Sequence, residues 1–196
     1  MKNFAGLKTT NFFVLRHGET KWNSINKLHG HLDSPLTKKG VSQAWKQNKS
    51  LHLQDLSNFI VISSPQKRAY DTAVVALSGI TDEINIDDDL VEIGIGDWSG
   101  KKLKNIEKGL NLNCTKYELT QLYNRAPNGE GIDRLYQRCY NFIKKLNSPS
   151  VLVTHGITSR CLRLAALGWS LERLDELPSE HGVVYRVLDG KHTIVG

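Results

Sequence analysis

The chain has 196 residues, 39% hydrophobic and 23% charged, with 26 Lys and Arg against 20 Asp and Glu for a net charge of +6. This length fits one domain, residues 1–196, that buries its own core without disulfide or metal staples, and the composition excludes a disordered or fibrous chain. No apolar run approaches the ~20 residues of a membrane span. The opening segment lacks the charged, apolar, small-residue order of a signal peptide, so a cytoplasmic location is the expectation.

In chain order, residues 11–15 (NFFVL) form a short apolar run that predicts a buried strand. A turn-rich loop and a helix over about 36–51 follow, with Leu36, Gly40, Ala44, Trp45, Asn48 and Leu51 on one face. Residues 59–62 (FIVI) predict a second buried strand. Ser64-Pro65 after it predicts a helix to about 77, with Ser64 as N-cap and Pro65 at the first helical position. A weaker third strand is expected within 82–90. The polar stretch at about 99–130 reads as a short helical excursion and loop, the expected lid insertion. Ile132, Leu135, Tyr136, Cys139, Phe142, Ile143 and Leu146 follow a 3.6-residue period and predict a helix over 131–146. A strand at 150–153 (SVLV), a helix at 156–167 and closing strands at 183–188 and 192–195 complete the pass. Alternating strands and helices imply an α/β fold: a mostly parallel central sheet between two helical layers.

Cys114, Cys139 and Cys161 are odd in number and widely spaced, which excludes a disulfide framework. Two of them fall on apolar helix faces and read as small core residues. The positive charges are scattered. Tyr117, Tyr123, Arg125, Tyr136 and Arg138 are too dispersed for a nucleic-acid platform, so the expected ligand is a small anion rather than nucleic acid or a membrane.

Three strand ends point to where that anion binds. NFFVL runs into Arg16-His17-Gly18, FIVI into Ser63-Ser64-Pro65-Gln66-Lys67-Arg68, and SVLV into Thr154-His155-Gly156. Ligands of open α/β sheets bind at the carboxyl ends of strands. Two of these ends also open a helix, whose free N–H groups favour an anion. Arg16, Arg68 and two imidazoles packed together would repel unless an anion lay among them. Arginine forks match phosphate oxygens.

These residues resemble a known family. Arg16-His17-Gly18-Glu19-Thr20 with Asn23 is similar to the RHGE[ST]xxN signature of the histidine phosphatase superfamily, the phosphoglycerate mutase-like fold. Asp33-Ser34-Pro35-Leu36-Thr37 with Gly40 resembles DSPLTxxG. Ser63-Ser64-Pro65 with Arg68-Ala69 and Thr72-Ala73 resembles SSPxxRAxxTA. Leu90-Val91-Glu92 with Gly96-Asp97-Trp98-Ser99-Gly100 resembles LxExxxGxWEG, and Thr154-His155-Gly156 the late [ST]HG.

The resemblance implies a metal-independent phosphomonoesterase that needs no cofactor and acts on a small phosphorylated metabolite. His17 would be the nucleophile, neutral and held at one ring nitrogen, forming a phosphohistidine. Arg16, Arg68 and His155 would hold the phosphoryl oxygens. Glu92 would be general acid and then base, a role that favours a partly buried carboxyl. Asn23, Thr20, His29, Gly30 and Gly156 would contact substrate. His29-Gly30 stands where the family often has Gln-Gly, Ser99 replaces the Glu of WEG, and His29 and His31 form an HxH pair that no Cys or carboxylate cluster completes into a metal site. Asn128-Gly129-Glu130-Gly131, with Arg138 and Phe142, resembles alpha-ribazole-5'-phosphate phosphatases. The same motifs would also suit a phosphoglycerate mutase or a non-catalytic phospho-ligand binder. The mutases resembled carry a longer insertion and a tail that excludes water, which favours hydrolysis here. The substrate, the exact use of positions 103–125 and the oligomeric state, a homodimer included, are left open.

Overall fold

The computed structural model describes residues 11–110 and 119–196, so Cys114, Tyr117 and the middle of the expected lid lie outside the described residues. Strands β1 (Asn11–Arg16), β2 (Ile60–Ser63), β3 (Asn85–Ile86), β4 (Ser150–Thr154), β5 (Val184–Leu188) and β6 (Lys191–Val195) form one sheet in the order β3-β2-β4-β1-β5-β6. The first four strands of that order are parallel. β5 runs antiparallel to β1, and β6 antiparallel to β5.

Period-two alternation sends successive side chains to opposite faces. Phe12, Val14 and Leu152 face one core, while Phe13, Leu15, Val151 and Val153 face the other. The first core is closed by helices α5 (Ile132–Lys145) and α6 (Gly156–Leu167), the second by α1 (Lys38–His52) and α2 (Lys67–Ala76). Two short helices, α3 (Leu103–Leu110) and α4 (Leu119–Asn124), lie in the excursion between them. The fold is thus the expected three layers around a largely parallel sheet. Cys139 and Cys161 are fully buried in the first core. Among the described residues no helix is long and apolar enough to cross a membrane.

Four local expectations change. Helix α1 starts at Lys38, capped by Thr37 Oγ1, which accepts from Gly40 N at 3.0 Å, while Leu36 pairs with Thr20 in an isolated bridge. Trp45 is 46% exposed. Gln47 takes the inward place, its amide donating to the carbonyls of Arg16 and Val183, because that face must satisfy strand-end carbonyls as well as bury carbon. Helix α2 begins at Lys67, not Pro65, and Ser64 is not its N-cap. Its cap comes from far away: the Asp33 carboxylate accepts from Lys67 N at 2.7 Å and Arg68 N at 3.3 Å. The third strand shrinks to Asn85–Ile86, followed by a 3-10 turn at Asp88–Leu90.

Gly18 and Gly40 are glycines for space rather than for φ. A Cβ on Gly18 would lie 2.2 Å from Gly40 O, and one on Gly40 would lie 2.1 Å from Glu19 O. The loop leaving β1 thus rests backbone to backbone on the first turn of α1.

Candidate active site

Strand register explains why the three basic ends meet. Arg16 pairs with Thr154 across β1 and β4, and Ser63 pairs with Val153 across β2 and β4. The residues that follow must then lie side by side. His17 N donates to Thr154 O at 2.9 Å and Ser64 N to Val153 O at 2.9 Å. The His17 and His155 rings are 5.2 Å apart, and His155 Nε2 is 2.8 Å from Ser64 Oγ.

His17 is 3% exposed. Its Nδ1 donates to Gly18 O at 2.7 Å, which leaves Nε2 unprotonated, and Arg68 Nε donates to Nε2 at 3.3 Å. Burial, then the charges of His155, Arg68 and Arg16, holds His17 well below the ordinary imidazole value. The ring is therefore neutral at physiological pH, with its Nε2 lone pair facing Arg68 at the pocket wall. Burial and the two arginines push His155 down in the same way.

The two arginines are held differently. Arg68 is largely bound by the protein: beyond His17 it donates to Leu32 O at 2.8 Å, Asp33 Oδ1 at 2.9 Å and Gly30 O at 3.1 Å, which leaves one Nη2 hydrogen for a ligand. Among the described residues Arg16 makes one side-chain bond, from Nη1 to Ser179 O at 2.8 Å, and its buried Nε and the buried Nδ1 of His155 have no partner. Buried donors left unpaired are costly, and a phosphoryl oxygen would satisfy them. When Ser64 donates to His155 Nε2, Nδ1 carries the proton and becomes such a donor.

Glu92 is partly buried and rests on the N-terminus of α6. Its Oε1 accepts from Ile93 N at 3.0 Å, Thr158 N at 3.1 Å and Thr158 Oγ1 at 3.0 Å. Its Oε2 has one long contact, Ile157 N at 3.3 Å, and is the oxygen left for proton work.

These groups surround a small pocket that opens to solvent. Arg16, His17, Asn23, His29, Gly30, Arg68 and Glu92 line it, with Lys27, Leu28, Ile93, Ile95 and Tyr123 farther out. Asn23 Oδ1 accepts from Thr20 N and Thr20 Oγ1, which turns the amide nitrogen outward. Three expected site residues are not on the wall. Thr20 is fully buried and bonded to Asn23 and to His29 Nε2 at 2.8 Å, so it orients its neighbours. Gly156 lies under Arg16, where a Cβ would meet the guanidinium carbon at 3.2 Å. His155 is fully buried, its ring edge-on to His17. Gly30 reaches the wall, but its carbonyl is taken by Gln66 and Arg68.

His29 and His31 do not act as a pair, since His31 Nε2 contacts Glu92 O. Among the described residues no three His, Cys, Asp or Glu side chains gather to hold a metal. Arg138 is ion-paired to Glu130 at 3.0 Å and donates to the carbonyls of Asp89 and Val91, so it shapes the Glu92 loop from behind. Phe142 is core.

Reading the sequence missed Asp33 as the holder of Arg68, His181, whose Nδ1 donates to His17 O at 2.6 Å, and Lys27 and Tyr123 on the outer wall. Only Asp33 carried a signal, its place in the DSPLT segment.

Comparison with known proteins gives the following. The family model described as the histidine phosphatase superfamily (branch 1) matches residues 12–193. Phosphoglycerate mutase-like protein 4 of Arabidopsis thaliana is 31% identical over 90% of this chain and 79% of its own. Phosphoserine phosphatase 1 of Hydrogenobacter thermophilus is 27% identical over 82% and 77%. The alpha-ribazole phosphatase structure from Shigella flexneri superposes with a TM-score of 0.78 at 25% identity, covering 94% of each chain.

Proposed function

The chain belongs to the histidine phosphatase superfamily, an enzyme family of phosphatases, and from that premise we propose that it is a metal-independent phosphomonoesterase working through a phosphohistidine on His17. The observation that carries this reading is the state of His17: neutral, tied at Nδ1, with Nε2 facing the pocket beside unpartnered donors of Arg16 and His155.

The steps follow from that arrangement. A phosphate monoester sits with its oxygens on Arg16, Arg68, Asn23 and His155. His17 Nε2 attacks phosphorus in line, and the P–O bond to the alcohol breaks. Glu92 Oε2 delivers its proton to the leaving oxygen. The carboxylate then takes a proton from water, whose oxygen attacks phosphorus and releases phosphate and neutral His17. The arginines neutralise the charge of the transferring group throughout.

The substrate class is small phosphorylated metabolites. Relatives named for phosphoserine, alpha-ribazole phosphate and phosphoglycerate chemistry all support this class. Alpha-ribazole phosphate is the candidate that the Asn128–Arg138 segment favours, with Arg138 paired to Glu130 as scaffold. We read the chain as one domain with a cover over about 99–130. Support comes from the Lys27–Lys102 backbone bridge and from Tyr123 on the pocket wall.

The test is turnover of p-nitrophenyl phosphate in excess chelator, with an acid-labile phosphoryl group trapped on His17. Turnover persisting in purified His17→Ala, or an acid-stable adduct, would sink the mechanism. A panel of phosphorylated metabolites then ranks the substrates.

A further inference from the structure

Between the 3-10 helix at Leu171–Glu176 and β5, residues 177–183 have no regular structure, yet they hold both Arg16 and His17. Ser179 O accepts from Arg16, and His181 Nδ1 donates to His17 O. An irregular segment has no ladder to keep it in register, so its position must be set from outside.

Arg163 on α6 supplies that anchor. It is fully buried, among the largest side chains to be so. Its Nε donates to Ser159 O at 3.0 Å, one terminal nitrogen contacts His192 Nε2 at 3.0 Å, and the other donates to Pro178 O. The guanidinium lies 4.1 Å over the Tyr185 ring, which stacks on His192 at 5.5 Å. The Tyr185 hydroxyl bonds the Glu180 carboxylate and accepts from Glu180 N at 2.9 Å. Ser179 is therefore pinned on both sides, at Pro178 O and at Glu180 N, and His181 follows directly.

We infer that Arg163 is a positioning residue, which through residues 178–181 fixes Arg16 and the backbone of His17 for phosphoryl transfer. The inference rests on the reading of His17 as nucleophile. Arg163 is fully buried with its guanidinium taken up by Ser159 O, His192 and Pro178 O, so it acts away from the pocket. An apolar side chain would fill the same space without burying a charge, so what the guanidinium adds is its grip on the Pro178 carbonyl. The same helix carries His155 at its start and the donors to Glu92. Arg163 extends its reach to the remaining first-motif groups, so one rigid body places nucleophile, acid and phosphate holder together.

The experiment uses the whole chain and p-nitrophenyl phosphate. Arg163→Met keeps most of the bulk but removes the donors and the charge over Tyr185. We expect phosphohistidine formation in a single turnover to slow about 10- to 100-fold, the scale of a misplaced reacting group, with the melting temperature and near-UV circular dichroism kept. Arg163→Lys, which still reaches one carbonyl, should recover part of the rate. A second pair serves if Arg163→Met does not fold: His181→Phe should be slow, and His181→Asn, whose amide can donate to His17 O, should be faster. A folded Arg163→Met within about twofold of wild type overturns the inference, as does His181→Phe within that range. Absence of phosphohistidine in the wild type instead overturns the proposed function.

Discussion

The floor and the outer wall of the pocket are built on different terms. On the floor, His17, His155 and Arg68 are each 3% exposed or less and bound to groups from several elements. On the wall, Lys27 lies over the Trp22 ring at 3.8 Å, and Tyr123 rests on core side chains and lines the pocket. Burial and the Glu92 carboxylate push the Tyr123 phenol up to about 12, so it is a donor across the physiological range. The floor tolerates almost no displacement. The wall presents side-chain tips that can change without disturbing the sheet. Under the proposed function, chemistry resides in the first and selectivity in the second.

The largest expected break of this contrast is His17→Ala, which should cut turnover on the order of 10⁴-fold or more, measured against a contaminant-free blank. Next is Glu92→Gln. It should slow an alkyl phosphate about 10²- to 10³-fold but p-nitrophenyl phosphate far less, because that leaving group needs little protonation. Equal slowing for both would remove Glu92 from the acid role. Asp33→Ala frees Arg68 and uncaps α2, so about 1–2 kcal/mol of stability should go with a loss of turnover, read by denaturant melts and kinetics together. If stability drops and turnover does not, Arg68 needs no holder.

The wall predicts smaller effects. Tyr123→Phe and Lys27→Met should change p-nitrophenyl phosphate turnover only about threefold while re-ranking a metabolite panel. An unchanged ranking would place selectivity elsewhere. A pH scan probes the floor electrostatically. Burial and neighbouring charge lower His17 and His155 well below the ordinary value, and His29 and His181 to about 4. Below pH of about 6.5 the unfolded chain binds more protons than the folded one, so stability is full above that pH and declines as pH falls toward 4. Melts between pH 7.5 and 5 should show the decline, and a flat profile would contradict it.

How much was legible follows the same division. The strand ends announced Arg16, His17, Arg68 and His155, because a buried strand exiting into a cation is a local pattern. Parallel register then does the assembly, as Arg16 opposite Thr154 shows. Roles carried by long-range partners were not legible. Asp33 caps a helix 34 residues away, where a cap is normally sought next door at Ser64. Ser179 acts through its carbonyl, which no side-chain pattern records. Trp45 looked like core by hydrophobicity, but the inward slot needed the hydrogen-bonding reach of Gln47. Tyr123 sits in a stretch whose period is too weak to orient it.

The abutment of Gly18 against Gly40 has a genetic consequence. The obstruction facing any new side chain at position 18 is a peptide oxygen, not a trimmable neighbour. No compensating replacement at residue 40 can make room, since every amino acid brings the same carbonyl. Saturation libraries at these codons should therefore yield glycine alone among active clones, and suppressor screens seeded with Gly18→Ala should return only true revertants.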